Sequence, residues 1–319
     1  ALQDPESLTI ILGAAQLLGV ATIFAISPLI IRVIWSTRPL PDGPLRDELL
    51  ELCRRHRVGC SNILLWNTHG LLMNAAVIGV IGRLRYILLS DALLERLDPE
   101  QIAAVMAHEV GHVRRRHIPW LLISLIATLG LTFVAIVFPL RFAADLLLGS
   151  PSYLAESILE IVGFLASLTI GLFAFGFISR RFEKQADAFA VQHLSGMTAH
   201  SPEDPLITED AVEAMAGALH TVALLNHIPR ERFTWRHGSI AQRQRAIRTL
   251  AGLPVSATPI DRSVRRLKRI AAVAFLILIA VTLADALGLG RSPEPDPTPA
   301  ESSASILPDA SRPLPERAG

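Results

Sequence analysis

The chain has 319 residues, 51% of them apolar, with a mean hydropathy of +0.42 and a formal net charge of only +1. That hydropathy argues against an ordinary soluble protein and for a membrane class, while so small a net charge offers no overall attraction for nucleic acid. Cys53 and Cys60 are the only cysteines, and their spacing fits neither a CxxC redox pair nor a four-cysteine zinc site, so both read as ordinary thiols.

Leu8 to Ile31 is a run of 24 residues without a charge. At 1.5 Å per residue, such a helix covers the roughly 30 Å hydrocarbon core of a bilayer. Asp4 and Glu6 precede it where a cleaved signal peptide would carry basic residues, so a retained first span is expected. The chain opens on Ala1, so an initiator methionine is expected to precede it.

The polar block that follows begins with "LRDELLELCRRH", which has helical spacing. The segments "SNILLWNT", "LLMNAAVIGVIG" and "LRYILLS" then read as short strands. A helix is predicted from Asp98 as N-cap, with Pro99 at the first helical position and Glu100 in the first turn. It carries the stretch "MAHEVGHVRRRHIPW".

On that helix His108 and His112 are four residues apart, so both imidazoles leave one face and can reach a single metal ion. Glu109 stands beside them as the group that takes a proton from water and later passes it to the leaving amine. A catalytic zinc site needs three protein ligands and an open position. The extended metzincin pattern would put glycine and histidine where Arg115 and Ile118 stand, so His117, one residue early, reads as an interfacial or outer histidine.

Ile118 to Leu140 and Ile161 to Ser179 are uncharged runs of 23 and 19 residues, separated by a segment with a Gly-Ser-Pro turn, and together they predict a transmembrane hairpin. The chain leaves it through "SRRFEKQADAFAVQ", where Glu183 and Asp187 are four apart on a helix. By spacing alone these two are either a charge-paired surface or a pair in which one carboxylate binds the metal and the other orients a ligand histidine. Ile270 to Ala284 predicts a weaker last span that Asp285 interrupts. The tail from Arg291, rich in Pro, Ser and Ala, lacks a hydrophobic period and is expected to be disordered.

The hairpin returns the chain to the side it left, so residues 32–117 and 180–269 must share one side of the membrane. Arg32, Arg38, the run Arg114–Arg116, Arg180, Arg181, Lys184 and five further cations between Arg262 and Arg269 flank spans there, against Arg141 and Arg291 opposite. By the positive-inside rule that side is cytoplasmic. The arginine run, so close to a span, reads as a headgroup anchor rather than a nucleic-acid patch.

The order of "MNAAVIG", "RYILLSDALLERLDPEQIAAVMAHEVGHVRRRH", a membrane hairpin and "SRRFEKQADAFA" resembles the HtpX-like membrane zinc metalloproteases, relatives of the type I CaaX prenyl endopeptidases. The resemblance covers roughly residues 45 to 250. It implies an α+β, mostly α, multi-span integral membrane protein with a zincin-like catalytic domain made of a small β-sheet and the HExxH helix. It also implies one Zn2+ per chain held by His108, His112 and Glu183, with Asp187 as the partner of a ligand. Asn74 and Ala75 would bind the backbone of an extended peptide, although the same stretch reads locally as a plain core strand. His237 and Arg243 match a segment that helps catalysis by steadying the oxyanion or substrate, with Gly238 where proline is usual. Such enzymes carry two spans before the domain where one is visible here, and the last span and tail are further departures.

The expected domains are a first span in 1–37, catalytic segments 38–117 and 180–269 around the hairpin 118–179, a last span in 270–290 and the tail 291–319. The expected function is zinc endopeptidase cleavage of membrane or membrane-proximal proteins at a bacterial inner membrane, in protein quality control, with the bilayer and peptide substrates as partners and no nucleic acid. A β-lactam-sensor metalloprotease is the second enzyme reading, but the tail is too short and Pro-rich for a sensor domain. An inactive membrane scaffold is the reading from another class, against which Glu109 stands.

Overall fold

The computed structural model describes residues 5–149, 152–198, 205–256 and 258–287. The tail 291–319 lies outside the described residues. By packing, the chain divides into Ala1–Leu276 and Ile277–Gly319, and the described part of the second unit is the end of one helix and Leu287.

Helix α1 (Pro5–Ile34) runs through the segment expected as the first span. Strand β1 (Thr37–Pro39) and helix α2 (Pro44–Arg55) follow, then β2 (Asn62–Trp66), β3 (Ala75–Ile78) and β4 (Tyr86–Ser90). The sheet has the order β1-β2-β4-β3, with β2 and β4 parallel and both outer pairs antiparallel. All five residues of β4 are buried, as expected of a central strand covered on both faces. Ile87 and Leu89 point into the main core with Ile63, while Leu88 and Tyr86 pack on the other face with Leu64, near the stacked pair Trp35 and Trp66. Strand β3 is left as an edge.

The short helix α3 (Asp91–Arg96) is capped by Ser90, and α4 (Pro99–Arg114) carries the histidines. Asp98 sits at its N-cap with extended backbone, but its side chain makes no capping hydrogen bond. Ile102, Met106 and Val110 recur at helical spacing and all lie in the main core, which seats α4. The chain then reverses at Arg116, whose left-handed backbone (φ 54°, ψ 45°) ends α4 and starts α5 (His117–Leu148).

Helix α6 (Tyr153–Thr198) has 46 residues and contains both the second limb of the hairpin and the segment with Glu183 and Asp187. At 1.5 Å per residue it is about 69 Å long, more than twice the hydrocarbon thickness, so its last third stands clear of the bilayer. It meets α5 through small residues: a Cβ added at Gly163 or Gly171 would fall 2.2 Å or 2.5 Å from Val137 or Leu129. Helices α7 (Glu209–Leu225) and α8 (Ile240–Arg248) complete the extramembrane domain, and α9 (Pro259–Ala286) ends the described chain. His117–Leu147, Tyr153–Gly196 and Pro259–Ala284 are each long and apolar enough to cross a membrane. The protein is an integral membrane protein, mostly helical with one small sheet.

Helices α4 and α6 touch where Gly111 faces Phe189; a Cβ there would stand 3.1–3.2 Å from the ring. A Gly111→Val substitution is therefore expected to push the two helices apart and cost about 1–3 kcal/mol, as overpacking does. A thermal melt followed by circular dichroism in detergent measures this, and an unchanged midpoint would show that Phe189 yields freely.

Candidate active site

Three elements deliver the chemistry. Helix α4 presents His108 and His112 one turn apart, and α6 presents Glu183 and Asp187 one turn apart on the side packed against α4. Helix α8, capped by the Ser239 side chain, delivers Arg243 between them. His108, Glu183, Asp187 and Arg243 are all buried.

The donor atoms of His108, His112 and Glu183 all lie within 4.8 Å of one another, the one such cluster of three among the described residues. The two Nε2 atoms are 3.2 Å apart, and the Glu183 oxygens lie 3.6 Å from His112 Nε2 and 3.7 Å from His108 Nε2. Ligand atoms about 2.0–2.2 Å from a tetrahedral zinc are about 3.3–3.6 Å apart, so the spacing suits one ion. The donor set agrees: the far ring nitrogens are engaged elsewhere, His108 Nδ1 lying 2.9 Å from Asp187 Oδ1 and His112 Nδ1 lying 3.0 Å from His117 Nδ1. The former is an ion-pair contact rather than an aligned hydrogen bond. Both imidazoles thus turn Nε2 toward the carboxylate.

Asp187 accepts from Arg243 at two points, Nε to Oδ2 at 2.9 Å and Nη2 to Oδ1 at 2.6 Å, and Arg243 Nη1 also lies 3.6 Å from Glu183 Oε2. His237 Nδ1 is 3.1 Å from the same Glu183 oxygen, while its ring is half exposed. Burial disfavours the Glu183 charge, but His237, Arg243 and the two α4 histidines outweigh it and hold the carboxyl well below the usual range. Burial, then the charge of His108, push His112 down to about 4, so it is neutral and fit to bind a metal. Burial pushes Glu109 up to about 7, close to the optimum for a general base at neutral pH.

A cleft of about 640 Å³ opens onto these groups. One wall is β3, whose Ala75 and Val77 stand beside Glu109 and His108, and the wall toward the membrane includes Ile118 and Pro119 at the start of α5. The main-chain groups of Asn74 are taken: its N–H donates to Ser90 Oγ and its carbonyl accepts from Ser90 N, both at 3.0 Å. Its side chain is what it offers the cleft. Arg243 is enclosed against Asp187 and does not line the cleft, whereas His237 does. Sequence reasoning left His117 as interfacial or outer; it is 2% exposed and touches His112. Arg116, which the sequence marked only as part of a headgroup anchor, lines the cleft, and Arg236 at the cleft and Gln185 and Asp261 behind His117 had no motif to mark them.

The model of peptidase family M48 matches residues 51–205. The chain is 28% identical over 204 residues to a CAAX prenyl protease 1 homolog of Arabidopsis thaliana, covering 58% of this chain and 45% of that protein. It is 29% identical over 182 residues to the Dictyostelium discoideum homolog, covering 52% of this chain and 41% of that one. The chain thus spans less than half the length of these curated relatives. The crystal structure of S. mikatae Ste24p shares the fold, with a TM-score of 0.50 and 22% identity over 75% of this chain and 56% of that one. The M48 segment contains both α4 histidines, Glu109 and the two α6 carboxylates, while His237 and Arg243 lie beyond it.

M48 metalloproteases depend on zinc in general, and the His/Glu cluster fits that ion. The buried Asp187–Arg243 pair holds the M48 segment to α8. Asp187→Ala takes from buried Arg243 its two-point partner, leaving only the longer 3.6 Å contact to Glu183, and is expected to cost about 3–5 kcal/mol. Glu213→Ala breaks the exposed pair with Arg248, with side chains 59% and 50% exposed, and is expected to cost less than about 1 kcal/mol. Denaturant unfolding of the two variants side by side measures the contrast, and equal costs would show that the buried pair carries no special weight.

Proposed function

We propose that this chain is a zinc-dependent membrane endopeptidase that holds one zinc per chain through His108, His112 and Glu183. The observation that supports it most is the convergence of those three side chains beside Glu109 at the floor of a cleft walled by an edge strand. When bound, zinc supplies Lewis-acid chemistry, polarising a carbonyl oxygen and acidifying water.

The chain's own residues do the rest. Glu109 takes the proton of the attacking water on its carboxylate and returns it to the nitrogen of the departing amine. An extended peptide lies along β3, the edge of the sheet that walls the cleft, in the manner of an added strand, with Ala75 at its backbone and the Asn74 side chain beside it. His237, half exposed and hydrogen-bonding distance from Glu183, steadies that carboxylate and faces the substrate carbonyl. Arg243 works from behind, clamping Asp187 and, through it, His108.

Substrates are membrane proteins or segments close to the surface, a reading supported by Ile118 and Pro119, which line the cleft at the start of the apolar helix α5. The arginine-rich flanks support a cytoplasmic face for the domain, and the membrane is taken to be a bacterial inner membrane.

Glu109→Gln in the full chain, reconstituted in nanodiscs, is expected to lower peptide cleavage by about 10²–10⁴-fold while zinc content stays at one per chain. Chelation should abolish the activity of the unaltered protein and added zinc restore it. A peptide tethered to the bilayer should be cut faster than the same peptide in solution; equal rates would remove the bilayer from substrate choice. Full activity of Glu109→Gln would remove the endopeptidase reading.

A further inference from the structure

Behind His112 lies a line of buried polar side chains that the catalytic reading leaves unused. His117, the first residue of α5, is turned back onto the site by the left-handed Arg116 and lies flat on Phe182, ring centroids 4.5 Å apart and planes 9° apart. Its Nδ1 is 3.0 Å from His112 Nδ1, and its Nε2 is 2.9 Å from Gln185 Oε1. Gln185 Nε2 in turn donates to Asp261 Oδ1 at 2.6 Å. His117, Gln185 and Asp261 are 2%, 4% and 7% exposed.

The direction of every hydrogen bond in this line follows from its far end. Asp261 is surrounded by donors: Gln185 and, at 3.3 Å, Arg115 Nη2 on Oδ1, and Thr258 Oγ1 at 2.7 Å and Gln192 Nε2 at 3.1 Å on Oδ2. A carboxylate so placed only accepts. Gln185 must therefore turn its amide N–H to Asp261 and its oxygen to His117, since the reverse would set oxygen against oxygen. His117 Nε2 must then carry a hydrogen, which leaves Nδ1 of the neutral ring as an acceptor. Among the described residues the donor it faces is His112 Nδ1, so the neutral His112 ring carries its proton there and has its lone pair on Nε2, the atom that points at Glu183.

We infer that His117, Gln185 and Asp261 form a one-directional positioning relay that locks His112 in its metal-binding tautomer and ties α4, α5, α6 and α9 to the metal site. This rests on the zinc reading above. His117 is a positioning residue: it acts only through His112. Behind the other ring stands Asp187, its Oδ1 2.9 Å from His108 Nδ1, so the two rings are backed by separate groups.

Zinc affinity of the full chain in detergent, stripped by chelation and titrated with Zn2+ against a chromophoric competitor, tests the relay without reference to activity. His117→Phe keeps a ring to stack on Phe182 and removes only the nitrogens; it should weaken zinc binding about 10–100-fold, the usual range for losing the hydrogen-bond partner of a ligand histidine. His117→Asn retains an oxygen able to accept from His112 and should stay within about threefold of the unaltered protein. Gln185→Met should weaken binding on its own but add nothing in the His117→Phe background, the signature of residues acting in series. The relay is overturned if His117→Phe binds zinc as tightly as the unaltered protein, if Asn rescues no better than Phe, or if the His117 and Gln185 effects multiply. Should His117→Phe fail to fold, the Asn and Met variants still decide: a large loss with Asn or none with Met overturns it. Failure of the zinc reading looks different, because the unaltered chain itself would then bind no zinc.

Discussion

Two imidazole nitrogens stand 3.2 Å apart with a carboxylate facing them. In water such side chains would be free to part; here each ring is held from behind, His108 by Asp187 and His112 by His117. The fold keeps three donor side chains converged on one point, an arrangement that suits a cation. Much of the surrounding structure serves that constraint. Arg243 offsets the charges of Asp187 and Glu183, so the acidic pair can be buried without the penalty that isolated carboxylates would carry. Counting Glu183 and Asp187 as anions and Arg243 as a cation, the cluster is left one negative charge over, which suits a divalent ion.

The proposed ligands come from helices that the chain separates by two segments long and apolar enough to cross a bilayer and return. A lipid environment demands that every backbone group be paired within the segment, so the connection is made of two uninterrupted helices rather than a loop. The consequence at the site is rigidity. α6 carries Glu183 on the same continuous helix that crosses the membrane, and α5 begins with the histidine that braces His112. The tight turn at Arg116 is the point where catalytic helix becomes membrane helix, with no linker between them.

How much of this was legible in the sequence depends on whether the signal was local. The HExxH spacing, the Pro99 start and the apolar runs all act within one helix, and they marked α4, α5 and the transmembrane part of α6. The four-residue interval of Glu183 and Asp187 showed that they share a face, but not what they face; the packing of α6 on α4 through Gly111 and Phe189 decides that. Strands β2, β3 and β4 were visible as apolar runs, whereas β1 is three residues long and gives no period to read. Helix α7 escaped because "EDAVEAMAGALHTVALL" is rich in alanine and weakly patterned, being buried on much of its surface. The place of His117 was illegible for a different reason. It depends on one non-glycine residue adopting a left-handed backbone, which the residue type does not announce.

The length of α6 makes the proposed metal site sensitive to the bilayer itself. Glu183 stands about 20 Å along the helix from the middle of its apolar run near residue 170, at 1.5 Å per residue. A tilt of about 3° around that middle would carry the carboxylate about 1 Å, a displacement large enough in catalytic sites to cost on the order of a hundredfold in rate. Helices answer a change in bilayer thickness by tilting, so the hairpin must resist this if the ligands are to stay converged. The close approach at Gly163 and Gly171, where α5 side chains fill the space a Cβ would need, supplies that resistance by fixing α6 to α5 over two turns of contact. And because α5 starts at His117, tilting the two limbs together would move Glu183 and the brace of His112 in concert rather than apart. A hairpin between ligand helices is thus a way of making one rigid body out of groups that lie more than seventy residues apart in the chain.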